Sequence, residues 1–351
     1  MRRLPAAFLL FLALAWTAPG HAQGLKQIGI IALPGKPLSD YGAVFVDQNT
    51  GKGFLTNRSN KAIDIFDTRT DKLLMRVEGF VGTRESSPVS GPQGVVTVNG
   101  GSEAWAGDGD SSIKVIEVAT GKITDVLHTG GKKRIGELAY DSQDQIVLAA
   151  NPNDAPPFVT LYSAKPGHRL LATIPFPSAT DGIEREGYFL PTGAFYVPLP
   201  KLDHSDVTGG LAEIDPRAGK LVTIHRMENC VPHNLAEVDG ALLYVACDYP
   251  GGHLALFDPK LGKLVAMLPA LGGSGQNAAN DRVHQYYDAI NRHPDGPRLL
   301  VVDTRTRRQL QAIPAAKGAH AVAVNSGNGH VYLPIGKEGS CGGCILVYAP
   351  E

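Results

Sequence analysis

The chain has 351 residues, 43% hydrophobic and 19% charged, with 33 Lys and Arg against 34 Asp and Glu for a formal net charge of -1. That composition excludes a disordered chain, and the charge balance excludes a nucleic-acid partner: no basic block is longer than Gly131-Lys132-Lys133-Arg134, so nothing matches a phosphate backbone. The 41 Gly and 25 Pro exceed average usage, which favours many short strands joined by turns.

The chain opens with Met1, Arg2 and Arg3, an apolar run from Leu4 to Ala18, and Pro19-Gly20-His21-Ala22. This positive, apolar, small-residue order predicts a signal peptide over residues 1–22, cleaved after Ala22. The apolar run is shorter than the roughly 18 to 20 residues of a spanning helix, and nothing later replaces it, so no membrane span is expected after cleavage. The expected location is the periplasm or the exterior.

Beyond the leader, one phrase recurs. It reads IDIFDTRTDKLL over 63–74, IKVIEVATGK over 113–122, LAEIDPRAGKLV over 211–222, LALFDPKLGKLV over 254–265 and LLVVDTRTRRQL over 299–310. Each is a β-rich run, a polar turn and a second β-rich run, hence a hairpin. Weaker copies at Val159–Ser163 and Ile345–Pro350 complete a set whose turn residues are Asp67, Glu117, Ser163, Asp215, Asp258, Asp303 and Ala349, spaced 43 to 52 apart. That is the length of a four-stranded propeller blade. Upstream of each hairpin a further strand pair is expected, such as Ala43–Val46 with Gly53–Thr56. The seventh copy ends at Glu351 without an outermost strand, and Lys26–Leu33 supplies the missing piece. The expectation is an all-β, seven-bladed propeller over 23–351, its ring closed by the N-terminal strand pairing with the C-terminal blade. The Pro-rich stretches 151–158 and 191–200 read as long loops within the register, and Gly272-Gly273-Ser274-Gly275 as a flexible interblade spacer.

The repeats resemble the YVTN-type propeller repeats of exported bacterial proteins. In that family a Pro-x-Gly or Pro-His phrase leads into the innermost strand. Gly91-Pro92-Gln93-Gly94, Val231-Pro232-His233-Asn234 and Gly318-Ala319-His320 occupy that place, while TDGIEREG over 180–187 departs from it.

In a propeller the loops entering the innermost strands and those joining second to third strands share one face, around the channel mouth. The entering loops offer Tyr41, Gln93, Arg134, Glu184, Arg185, His233, Asn234, Arg282 and His320 as ligand-binding candidates, polar groups of both signs converging from several blades. His233, His320 and Glu184 are the candidate ligands for a divalent metal assembled across blades, although no short-spaced metal motif is present and no cofactor motif is found.

Four cysteines remain. Cys230 and Cys247 flank a hairpin turning near Asp239-Gly240, so a structural bridge is expected, worth about 3 kcal/mol in the chain-entropy estimate. Cys341-Gly342-Gly343-Cys344 is followed by Ile345 rather than His, which excludes c-type haem attachment; a small-loop disulfide closing a surface turn is expected, with a metal-binding or redox pair as the alternative. Two functional classes fit the whole: a binding module whose mouth holds a small polar ligand or an exported partner protein, and a metal-dependent propeller lactonase, hydrolase or lyase.

Overall fold

A computed structural model describes residues 24–248, 252–273 and 275–351. The leader over 1–22 and Ser274 lie outside the described residues.

The repeated phrase forms the outer hairpin of each blade, and its turn explains its sequence. In the first blade the third strand Ala62–Asp67 passes to the fourth, Lys72–Glu78, and the Asp67 carboxylate accepts a hydrogen bond from Arg69 N–H at 2.7 Å. Asp215, Asp258 and Asp303 cap the same turn, accepting from Arg217 N–H at 2.9 Å, Lys260 N–H at 2.9 Å and Thr306 N–H at 2.7 Å. The turn ends in a left-handed residue, which is why Gly121, Gly219 and Gly262 stand there with φ of 70°, 62° and 62°. The register then slips by one residue between the third and fourth strands at the same place in six blades, for example between Ile65 and Phe66 and between Val301 and Val302.

The described strands form seven four-stranded antiparallel sheets. Six run in chain order from the inside outward. The seventh joins Ala323–Val324, Val331–Ile335 and Cys344–Pro350 to the N-terminal strand Leu25–Ala32, whose register runs from Leu25 opposite Pro350 to Ala32 opposite Cys344. The fold is a seven-bladed β-propeller with the expected closure.

Second and third strands are buried on both faces, as in Ile146–Asn151, whereas outer strands such as Lys122–His128 alternate between exposed and half-buried. The core therefore lies between blades. Leu148, Val159 and Leu161 of the third blade meet Phe195, Val197 and Ile214 of the fourth. At the closing joint Ile31, Tyr332, Ile345 and Val347 meet Val44, Leu55 and Phe66.

Two sequence expectations are corrected. The stretch 191–200 is no long loop: Ala194–Leu199 is the buried second strand of the fourth blade. Pro198 is tolerated there because the short innermost strand Gly187–Phe189 pairs only as far as Tyr196, so the side facing it has no ladder donor to lose; Pro334 sits likewise beyond Tyr332. Nor are Gly272 and Gly275 a flexible spacer. A Cβ on either would overlap the carbonyl oxygen of His253 or Ala289, so the glycines permit close backbone contact.

Both disulfides are formed, Cys230–Cys247 with Cα atoms 5.0 Å apart and Cys341–Cys344 with 6.0 Å. Among the described residues no helix is long and apolar enough to cross a membrane.

Ile31 is 1% exposed and its neighbour Ile30 49%. Ile31→Asp is therefore expected to cost about 3 kcal/mol or more in urea unfolding, and Ile30→Asp within about 0.5 kcal/mol. Replacing Cys230 and Cys247 together by Ala is expected to cost about 2–4 kcal/mol by the same measurement.

Candidate functional site

Four of the chain segments entering innermost strands bond their backbone to the next blade. Ala43 N–H donates to Gln93 O at 2.9 Å, Gly94 N–H to Gly136 O at 3.1 Å, Arg185 N–H to His233 O at 3.2 Å and Gln276 N–H to His320 O at 2.7 Å. These bonds hold the following side chains at the channel mouth, around a hollow of about 150 Å³. Six of the nine predicted binding residues line it: Gln93, Arg134, Glu184, Arg185, Asn234 and His320.

Tyr41 stands behind them. Its ring stacks on His320 with centroids 4.4 Å apart, and its hydroxyl reaches Pro334 O at 2.8 Å and Gly318 O at 3.0 Å. His320 Nδ1 lies 2.7 Å from Gly318 O and Nε2 3.1 Å from Gly42 O. Burial lowers its pKa, the Gly318 and Gly42 carbonyls opposing and the Arg58 charge assisting. A neutral ring donates to one carbonyl only, and neither nitrogen is turned toward the hollow.

His233 lies one layer back, Nδ1 3.4 Å from Glu184 Oε1 and Nε2 3.8 Å from Asp248 Oδ2. The structure thus joins Glu184 to His233 and leaves His320 elsewhere in the rim. Among the described residues no three His, Cys, Asp or Glu side chains are grouped to hold a metal ion. Arg282 is misplaced by the sequence reading. The innermost strand of the sixth blade is Asn277–Asn280, so Arg282 follows it, in the turn on the opposite face. The short run NAAN carries no β-branched or aromatic residue, which hid the strand.

Three residues at or below the floor of the hollow escaped the sequence reading. Glu137 accepts from Gln93 Nε2 at 3.1 Å; burial raises its pKa, opposed chiefly by the charge of Arg185. Gln276 reaches past the seventh blade to the first, donating to Val44 O at 2.8 Å and accepting from Val44 N–H at 3.2 Å. Glu186 is buried below the floor. The available signal was position: each stands immediately before an innermost strand, within two residues of the place that Gln93 holds in its own blade. Arg185 Nη1 donates to Asn277 O at 3.2 Å and Asn234 Nδ2 to Gly275 O at 2.7 Å, which ties the belt together.

Two polar atoms of the lining have no partner, Gln93 Oε1 and Arg134 Nε. The rest of Arg134 is held, Nη1 donating to Ser87 Oγ at 2.6 Å and Ser87 O at 3.0 Å, and burial lowers its pKa to about 10, so it keeps its charge at neutral pH.

No protein-family model matches the sequence, and no characterised protein sequence matches it either. In structure, 1703 solved chains match, so the fold is too widespread to indicate a function by itself. One of them is the hydrazine synthase of Kuenenia stuttgartiensis, with a TM-score of 0.68 over 85% of this chain and 92% of that one. At 13% identity the likeness establishes the propeller fold alone.

Burial lowers the His233 pKa, but the hydrogen bond and charge of Glu184 and the charge of Asp248 outweigh it, so the net shift is upward from 6.5. A raised folded-state pKa stabilises fully below the unfolded value and is lost as pH rises through the folded value. The stability gap between wild type and His233→Gln is accordingly expected to be about 1 kcal/mol or less near pH 5.5 and to shrink above about pH 8, read by urea unfolding at both pH values.

Proposed function

We propose that this protein is an exported, YVTN-type propeller that captures a small polar ligand at its channel mouth, and that the ligand presents both a hydrogen-bond donor and an anionic acceptor. The observation that carries the reading is a pair of buried, unpartnered atoms on side chains that line the hollow: Gln93 Oε1, an acceptor, and Arg134 Nε, a donor. Buried polar groups are almost always paired, so an orphan acceptor and an orphan donor on one small hollow call for a complementary molecule. An anionic acceptor suits Arg134, whose guanidinium stays charged.

Size narrows the class further. At about 150 Å³ the hollow falls below the ~300–1,000 Å³ of pockets for drug-sized ligands, so the ligand is of the scale of an amino or hydroxy acid. Export is supported by the residue order of the first 22 positions and by the two disulfides, which persist in oxidising compartments.

Thermal unfolding of the protein in a panel of amino and hydroxy acids, including glycine, alanine, lactate and malate, tests the reading. At least one is expected to raise Tm by a few degrees when supplied at roughly 100 times its Kd, and Gln93→Leu with Arg134→Met to remove that rise. No rise across the panel, or an equal rise in the double variant, would set the mouth aside as a ligand site and favour a partner protein.

A further inference from the structure

Beyond the belt of Glu137, Arg185 and Gln276, the channel widens into a second hollow of about 570 Å³. It is lined from all seven blades and opens on the opposite face, where Gln48, Asn49 and Ser142 sit in first-to-second-strand turns. Neither Gln93 nor Arg134 belongs to it, so it is distinct from the mouth site.

Its charged lining is one-sided. Asp47, Glu137, Glu186 and Glu237 stand against a single cation, Arg185, with no Lys or His. Arg185 already donates to Asn277 O and divides its charge between Glu137 and Glu186. Glu186 has no side-chain partner within hydrogen-bond reach: it is 4% exposed, and neither carboxylate oxygen is hydrogen-bonded to another residue. A buried carboxyl so placed costs several kcal/mol when ionised. Burial pushes its pKa well up; the charges of Glu137 and Glu184 add to this, and its own backbone amide and Arg185 oppose it.

We infer that this inner hollow binds an organic cation, an ammonium group on an apolar or aromatic body, with Glu186 as its counter-charge. The carboxylate supplies acceptors for N–H donors, and the wall supplies apolar surface from Val96, Leu235 and Val322 and the rings of Tyr140 and Tyr188. The volume falls in the range that takes a molecule of drug-like size. The proton balance is definite. The ammonium arrives charged, the Glu186 carboxyl releases its proton to solvent, and an ion pair replaces a neutral acid. Binding therefore tightens as pH rises toward the raised Glu186 value and weakens once the amine itself loses its proton.

Titration calorimetry of the full chain with phenethylamine, and with its neutral counterpart phenethyl alcohol, in two buffers of different ionisation enthalpy tests this. Phenethylamine is expected to bind with release of about one proton per molecule. The alcohol is expected to bind at least about 10-fold more weakly, the worth of one lost charged hydrogen bond. Glu186→Gln is expected to abolish the proton release and to weaken phenethylamine by a similar factor. Absence of phenethylamine binding, equal affinity for the alcohol, or proton release that persists in Glu186→Gln overturns the inference. The first two outcomes are read on the unaltered protein, so the test stands if the variant does not fold.

Discussion

Everything in this molecule depends on the ring closing. A blade buries its second and third strands only because another blade lies against each face, so an open row would leave two apolar sheet faces in water. The closing pair answers this by joining Leu25–Ala32 to Cys344–Pro350, residues more than three hundred positions apart. Bringing such distant ends together adds little entropy beyond that of a shorter loop, since the cost grows only with the logarithm of length. What it secures is a seventh interblade interface, in which Ile31, Tyr332 and Val347 meet Val44 and Phe66. Buried positions on the closing strand are few, and Ile31 is the one that reaches the joint with the first blade.

Because stability resides between blades, the channel is left to other physics. Seven short innermost strands converge, and their first residues have no further strand to pair with. Side chains complete the hydrogen bonding across the gap: Gln276 with Val44, Asn234 with Gly275, Arg185 with Asn277, Gln93 with Glu137. The result is a polar floor that divides the channel into two unequal hollows. Within the belt most groups are satisfied. The exceptions among the described lining residues are Gln93 Oε1 and Arg134 Nε at the mouth, and Asp47 Oδ2, Asn277 Oδ1 and both oxygens of Glu186 at the inner hollow.

The fold was legible because its signals are local and repeated. Asp at the end of a third strand and a left-handed glycine four residues later follow from turn chemistry, and seven copies at blade spacing leave little choice of architecture. The site was legible where the blade register placed a residue in an entering loop, as for Arg134, Glu184 and Arg185, which have no Pro-containing lead. Gln93, His233 and Asn234 sit in Pro-containing leads, and the structure places them at or behind the mouth. Arg282 failed because Asn277–Asn280 lacks every strand signal, which shifted the register of its blade. Glu137, Glu186 and Gln276 were missed for a different reason. Their role comes from burial and from neighbours on other blades, and a carboxylate in sequence reads as solvent-exposed until the ring places it inside.

The two hollows differ in sign, and the difference follows from which side chains they share. The mouth adds Arg134, Asp181 and Glu184 to the belt, giving charges of both kinds; the inner hollow adds Asp47, Glu186 and Glu237, giving one kind. Glu137 and Arg185 line both. The Glu137 carboxylate accepts from Gln93 on the mouth side while its charge raises the Glu186 pKa on the other. The hydrogen bond of Gln93 and the field at Glu186 thus depend on one carboxylate, that of Glu137. Such a dependence between two sites is reciprocal by thermodynamic necessity. The two hollows thus share a charged floor, and Glu137 and Arg185 are the residues on which both draw.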